Sequence, residues 1–248
     1  PEVRKDYIKM KIIVNGACGH MGRALIAAAE SKDIEIAARV DKYGDTPFKE
    51  ISEYKGCADA VVDFSHHTAA PALCAYAEER GLPLVIATTG HTEEEAECIR
   101  KAAQTVPVFY SANMSLGIAL LIDLAKKAAA VFPDADIEIV EVHHNRKLDA
   151  PSGTAKMILD GILEVYPDRY GNFGRAGMGQ REKKEIGVQS VRMGNVVGVH
   201  EVHICTGTQC LTLKHEAQSR DLFAEGALEA ASFLLGKKSG LYVMKDLI

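Results

Sequence analysis

The stretch that most limits what this chain can fold into lies within 11–30. Lys11-Ile-Ile-Val-Asn15 is a short apolar run with strand character. It passes into Gly16-Ala-Cys-Gly19-His-Met-Gly22 and then into Arg23-Ala-Leu-Ile-Ala-Ala-Ala-Glu30, a strong helix former. Each glycine has a physical reason to be there. Gly16 permits a tight turn, Gly19 lets the backbone approach a pyrophosphate, and Gly22 lets the helix close on the strand. The unpaired N–H groups at the helix start then face the phosphates. Glycine turns after strands are common, so the spacing alone also fits a plain tight turn. Its context favours the dinucleotide reading. A second strand-like run, 34–40, ends at Asp41, where a carboxylate is expected to take a ribose hydroxyl. Lys42 follows directly and leaves room for a 2′-phosphate, so NADH and NADPH both stay open.

Strand and helix go on alternating. Runs 60–64, 84–87 and 106–110 read as buried strands, and 68–80 and 92–105 as helices, the second opening with three glutamates at its positive end. Strict alternation argues for a parallel sheet with helices on both faces, a Rossmann-like α/β domain. Ligands of such sheets gather beyond the carboxyl ends of the strands. Those ends carry Ser65-His66-His67, Ala87-Thr88-Thr89-Gly90 and Ser111-Ala112-Asn113-Met114. Thr88, Thr89 and Asn113 suit hydrogen bonds to ribose and carboxamide. His66 and His67 read equally as loop histidines or as cofactor contacts.

After Asn113 the pattern changes. Ser115 can cap a helix over 116–132 with an apolar stripe through Leu120, Leu121, Leu124 and Ala128. Runs 137–142, 186–193, 196–205 and 209–215 then alternate as strands, and Gly194-Asn195 and Thr206-Gly207 carry hairpin chemistry. The glycine-rich run 166–184 reads as a mobile loop. These elements predict an α+β domain with a largely antiparallel or mixed sheet. A last helix, 221–235, and a closing strand at 240–244 are expected to return to the first domain. The dinucleotide domain then spans 10–113 and 217–248, and the domain for substrate and oligomerisation spans 114–216. Residues 1–9 precede a Met-Lys-Ile-Ile-Val start and are set aside as a short extension.

Composition narrows the partners. A formal net charge of −5 and a pI near 6.0 give no footprint for nucleic acid or an anionic membrane. No apolar run nears the roughly 20 residues of a spanning helix. The six cysteines form no CxxC pair and read as reduced thiols, which predicts a cytoplasmic protein.

Polar chemistry concentrates in 143–155, His-His-Asn-Arg-Lys-Leu-Asp-Ala-Pro-Ser-Gly-Thr-Ala, between a strand and a helix. His143 and His144 are adjacent on a strand and point to opposite faces, so joint metal ligation is awkward, and no metal is expected. Lys147, with Arg146 beside it, supplies positive charge. Ser152-Gly153-Thr154 opens a helix whose free N–H groups and hydroxyls suit a carboxylate or phosphate. A histidine near such a cradle suits general-acid work on an anionic substrate. A capped helix with solvated charges fits these residues equally well.

The run Glu141-Val-His-His-Asn-Arg-Lys-Leu-Asp-Ala-Pro-Ser-Gly-Thr-Ala155 closely resembles the signature E-x-H-H-x-x-K-x-D-x-P-S-G-T-A of the 4-hydroxy-tetrahydrodipicolinate (dihydrodipicolinate) reductases. These are nicotinamide-dependent enzymes of bacterial lysine and diaminopimelate synthesis. The likeness runs from Met10 to the end and includes Val62-Asp-Phe-Ser, Ala112-Asn113-Met114-Ser115, Arg192-x-Gly194-x-Val-Val-Gly198 and Gly240-Leu-Tyr-x-Met. It implies that His143 is the general acid and that Lys147 holds a carboxylate and assists protonation. It implies that His144, Ser152, Gly153 and Thr154 bind the dicarboxylate ring. Gly16, Ala17, Cys18, Gly19, His20, Met21, Asp41, Ala87, Thr88, Thr89, Ser111, Ala112, Asn113 and Met114 would hold NADH or NADPH. Hydride from nicotinamide C4 would reach ring carbon 4 of the dehydrated substrate, and a proton would complete the reduction. The family pattern also implies a homotetramer. Two departures stand out. His20 replaces an arginine common in the glycine loop, and Ser65-His66-His67 differs from the usual Thr-Arg-Pro or Ser-His-Pro; both weaken the expected phosphate contacts. The rivals are another two-domain NAD(P)-dependent enzyme, such as an amino-acid dehydrogenase or imine reductase, and a dinucleotide sensor without catalysis. The presence of both His143 and Lys147 speaks against the sensor.

Overall fold

The computed structural model describes residues 9–248, so the extension assigned to 1–9 lies, apart from Lys9, outside the described residues. Two compact units divide the chain. One comprises the described residues through Ser115 together with Asp221–Leu247; the other is Leu116–Arg220.

In the first unit, six strands form one sheet: β1 (Lys11–Asn15), β2 (Glu35–Val40), β3 (Ala60–Asp63), β4 (Leu84–Ile86), β5 (Pro107–Tyr110) and β11 (Gly240–Tyr242). Their order is β11-β5-β4-β3-β1-β2, and every pairing is parallel. β3 and β4 are buried throughout, as strands covered on both faces must be. α1 (His20–Ser31) packs beside α6 (Asp221–Leu234), and α2 (Ala70–Arg80) beside α3 (Glu93–Ala102). Right-handed crossovers that run outward in opposite directions from β1 and β3 put the two helix pairs on opposite faces. Local chemistry agrees with each helix. Gly81 ends α2 at φ +62°, and Thr92 and Glu95 close a reciprocal capping box at the start of α3. The strand order reverses between β1 and β3, which makes that crevice the expected ligand position.

The second unit holds α4 (Leu116–Val131), β6 (Asp136–His143), α5 (Gly153–Val165), β7 (Tyr170–Phe173), β8 (Glu185–Arg192), β9 (Gly198–Cys205) and β10 (Cys210–Ala217). The sheet order is β10-β9-β6-β8-β7. The β10–β9 and β9–β6 pairings are antiparallel, while β6–β8 and β8–β7 are parallel. The sheet is thus mixed rather than largely antiparallel. α4 and α5 cover one face through Ile118, Leu121, Ile158 and Ile162 against Ile137, Ile139 and Ile204.

Four expectations need correction. Thr206-Gly207 does join an antiparallel hairpin, but Gly194-Asn195 does not: β8 and β9 both pair with β6, so that turn passes over the end of β6. The run 166–184 contains β7, and Arg181 fastens its second half to the sheet by bonds to Asp136 (2.9 Å) and to the carbonyls of Ile137 and Glu185. The buried stripe of α4 is Ile118, Leu121, Ala125 and Ala129, with Leu120 and Leu124 exposed. That helix is apolar on most sides, so periodicity could not select a face. Finally, Cys205 and Cys210 are disulfide-bonded. They sit directly opposite each other in the β9–β10 register, a proximity that a search for CxxC spacing misses.

Candidate active site

At the crevice between β1 and β3 the backbone leaves little choice of residue. Gly16 has φ +80°, and a Cβ there would lie 2.5 Å from the Phe64 carbonyl oxygen. A Cβ on Gly22 would lie 2.0 Å from the Gly16 oxygen, so α1 starts hard against the turn. Gly19 is exposed and caps α1 with no side-chain hydrogen bond, so the first N–H groups of the helix have no side-chain acceptor. Asp41 faces this loop. Its carboxylate accepts from the N–H groups of Cys18 (2.9 Å), Tyr43 (3.0 Å) and Gly44 (2.7 Å). Burial works to raise the Asp41 carboxyl, but these bonds outweigh it and hold it below its usual value. A carboxylate offers about four acceptor positions, so one remains for a ribose hydroxyl.

The carboxyl ends of the neighbouring strands are tied together by Asp63. This buried carboxylate accepts from Asn15 (2.7 Å), Ser65 (2.6 Å) and the Thr88 hydroxyl (2.7 Å). Thr88 therefore spends its hydroxyl inside the protein and can offer a ligand mainly backbone. Asn113 is buried, and its side-chain oxygen accepts from the Ser115 N–H (2.9 Å). Ala17, Ala87 and Met114 are buried as well; Ser111, Cys18 and Met21 are half-buried; His20, Thr89 and Ala112 are exposed. His67 bonds Glu95 (2.8 Å) and His66 bonds Thr68 (3.0 Å), which favours the loop reading of both histidines. The loop has the glycine cradle and the uncapped helix start that a dinucleotide pyrophosphate requires, so these residues fit a nicotinamide cofactor.

The second site stands at the end of β6. Alternation puts Glu141 and His143 on the same face as Ile137 and Ile139, toward α5. His143 is nearly buried, and its Nδ1 lies 2.5 Å from Glu141 Oε2. Glu141 is fully buried and is held by both Arg192 guanidinium nitrogens at 2.8 Å and by the Ser152 N–H at 3.1 Å. Burial pushes the Glu141 carboxyl up, but bonds from His143, Arg192, Ser190 and Ser152 overcome this and hold it well below the usual carboxylate range. Ser152 Oγ caps α5 by accepting from the Ala155 N–H and lies 3.1 Å from His200 Nε2. Burial drives the His200 imidazole down to about 3, with His143 acting in the same direction. The His143 and His200 rings meet edge to face at 5.1 Å.

Cations surround this core. Lys147 Nζ pairs with Asp149 (2.8 Å), Arg146 reaches Asn195 (2.8 Å), and Arg220 reaches His144 (3.3 Å). Burial and then the charges of Arg146, Arg220, His143 and Lys147 lower His144. Gly153 and Thr154 form the first turn of α5, and a Cβ on Gly153 would meet nothing within 4 Å. Packing does not demand glycine there, and the helix N-terminus is open on that side. His200 and His203 lie on opposite faces of β9, and among the described residues no group of three metal-binding side chains comes together. Sequence reasoning assigned no role to Glu141, Arg192 or His200. A glutamate on the apolar face of a strand is the signal that could have exposed the first of them.

Residues 10–114 match the family described as Dihydrodipicolinate reductase, N-terminus, and residues 117–248 match Dihydrodipicolinate reductase, C-terminus. The chain belongs to the dihydrodipicolinate reductase family. A 4-hydroxy-tetrahydrodipicolinate reductase of Caldanaerobacter subterraneus subsp. tengcongensis is 46% identical over 96% of the chain and 98% of its own length. That of Clostridium novyi is 41% identical over 96% and 98%. Among solved structures, the dipicolinate-bound dihydrodipicolinate reductase from Paenisporosarcina sp. TG-14 superposes with a TM-score of 0.79 at 23% identity, covering 97% of this chain and 100% of that one. That likeness is one of fold. Membership in the dihydrodipicolinate reductase family makes the chain a nicotinamide-dependent oxidoreductase. Among the described residues no helix is long and apolar enough to cross a membrane.

Proposed function

We propose that the chain reduces 4-hydroxy-tetrahydrodipicolinate to tetrahydrodipicolinate in lysine and diaminopimelate synthesis, the 4-hydroxyl leaving as water and NADH or NADPH supplying the hydride. The observation that carries this reading is the cluster at the end of β6, where a histidine held by a buried carboxylate stands beside Lys147 and the open start of α5. When bound, the cofactor supplies a hydride. The first unit holds the dinucleotide through Gly16–Met21, Asp41, Ala87–Thr89 and Ser111–Met114. In the second unit Lys147, His144 and the Ser152–Thr154 turn bind the two ring carboxylates, and His143 delivers the proton. Fixing a dianionic ring in this way supplies orientation and charge neutralisation.

The protein is further read as a cytoplasmic homotetramer. The family resemblance suggests both, and an apolar row supports the association. Val142, Val191 and Val199 lie side by side across three strands on the sheet face away from α4 and α5. The direct test follows NAD(P)H absorbance with aspartate semialdehyde, pyruvate and the upstream synthase. Failure to oxidise either cofactor would sink the assignment. Pyridine-2,6-dicarboxylate is expected to inhibit competitively with substrate, and indifference to it would contradict the carboxylate-binding role.

A further inference from the structure

We infer that Glu141 is a positioning residue that joins the proton donor and the anion-binding end of α5 into one rigid part. The inference rests on the reductase reading for its consequences, but its geometry stands apart from it.

The two oxygens of Glu141 accept from four nitrogen donors, besides the Ser190 hydroxyl. Oε2 accepts from His143 Nδ1 (2.5 Å) and one Arg192 nitrogen (2.8 Å); Oε1 accepts from the other Arg192 nitrogen (2.8 Å) and the Ser152 N–H (3.1 Å). Each acceptor position is filled, and the group is fully buried. An ionised carboxylate can only accept, so His143 must carry a hydrogen on Nδ1. Proton exchange with a substrate is thereby confined to Nε2. The space at that atom is kept by Gly198, where a Cβ would lie 3.1 Å from His143 Nε2. Arg192 also donates to the Asp149 carbonyl (2.6 Å), so the same guanidinium fastens the loop that bears Lys147.

The charges facing His143 are coherent with proton donation. Glu141 on β6 bonds the His143 ring, Arg192 on β8 is already matched by Glu141, and burial keeps His200 on β9 neutral. His144 and Lys147 complete the surroundings, with Lys147 paired to Asp149. A merely structural ion pair needs Arg192 and Glu141 but has no use for the bond to His143 or the gap at Gly198.

The decisive variant is Glu141→Gln, which keeps the shape and removes the charge. The expected result is a loss of kcat of roughly 10²-fold, the scale of one general acid–base contribution. KM should change far less, and NADH affinity by fluorescence titration should not change. Wild-type kcat, with only a lower melting temperature, would overturn the inference. Should the variant fail to fold, the wild-type protein still answers. A long-range ¹H–¹⁵N imidazole spectrum at high pH is expected to show His143 as the Nδ1–H tautomer, and the Nε2–H tautomer would overturn the inference. The tautomer does not depend on turnover, so a protein inactive in the coupled assay would sink the reductase reading while leaving this one intact.

Discussion

The crevice at the end of β1 and the cluster at the end of β6 are made from different material. The first is a matter of backbone: glycines that tolerate no Cβ, an uncapped helix start, and a carboxylate turned onto main-chain N–H groups. The second is a matter of side chains arriving from β6, β8, β9 and the cap of α5, gathered around one buried glutamate. A backbone site is fragile to added volume and indifferent to most side-chain chemistry. A side-chain site tolerates added volume wherever space is open and fails when a charge is removed.

Substitutions can break that contrast. The largest effect is expected from Lys147→Ala, with turnover falling roughly 10²–10⁴-fold while NADH binding persists. Loss of NADH binding instead would show that the division of labour between the two units is wrong. Next comes Gly22→Ala. Overpacking of about 1–3 kcal/mol at the turn is expected to weaken NADH binding about tenfold or more. Calorimetric titration with pyridine-2,6-dicarboxylate should be unaffected, and an equal loss of both ligands would erase the distinction.

A third substitution concerns stability against pH. His200 is held near 3 in the folded protein against an ordinary value of 6.5. The unfolded chain therefore takes up this proton first, and stability falls as pH drops from about 6.5 toward 3, by at most about 1.4 kcal/mol per pH unit. Glu141, also lowered on folding, adds a slope of the same sign below its ordinary 4.5. His200→Gln should flatten the fall in urea midpoint between pH 7 and 5, and an unchanged slope would contradict a buried neutral imidazole. The smallest effect is expected from Gly153→Ala. Stability should hold within about 0.5 kcal/mol because a Cβ there is in open space. KM for substrate should rise about tenfold, equivalent to about 1.4 kcal/mol; an unchanged KM would remove this turn from the binding site.

Much of this was legible from local pattern. Glycine spacing, the acid at 41 and strict alternation are short-range features, and each was read where it stands. The run 143–155 was legible for the same reason, since its histidines, lysine and helix cap are contiguous. Partners distant in the chain were not. Arg192 and His200 meet Glu141 only because β8 and β9 flank β6, and no spacing in the sequence states that neighbourhood. The misread turn at Gly194-Asn195 has the same origin: a two-residue turn looks alike whether it joins adjacent strands or passes over a third.

Periodicity and turn chemistry by themselves thus determined the two-part α/β plan, the glycine turn between β1 and α1 and the identity of the charged strand end, because each depends on residues a few positions apart. Tertiary structure decided which face of α4 is buried, the pairing of Cys205 with Cys210, and the burial of Glu141. It also decided that Thr88 turns inward to Asp63 rather than outward. Those outcomes depend on sheet order and register, and register is set by the packing of whole faces rather than by any one stretch of chain.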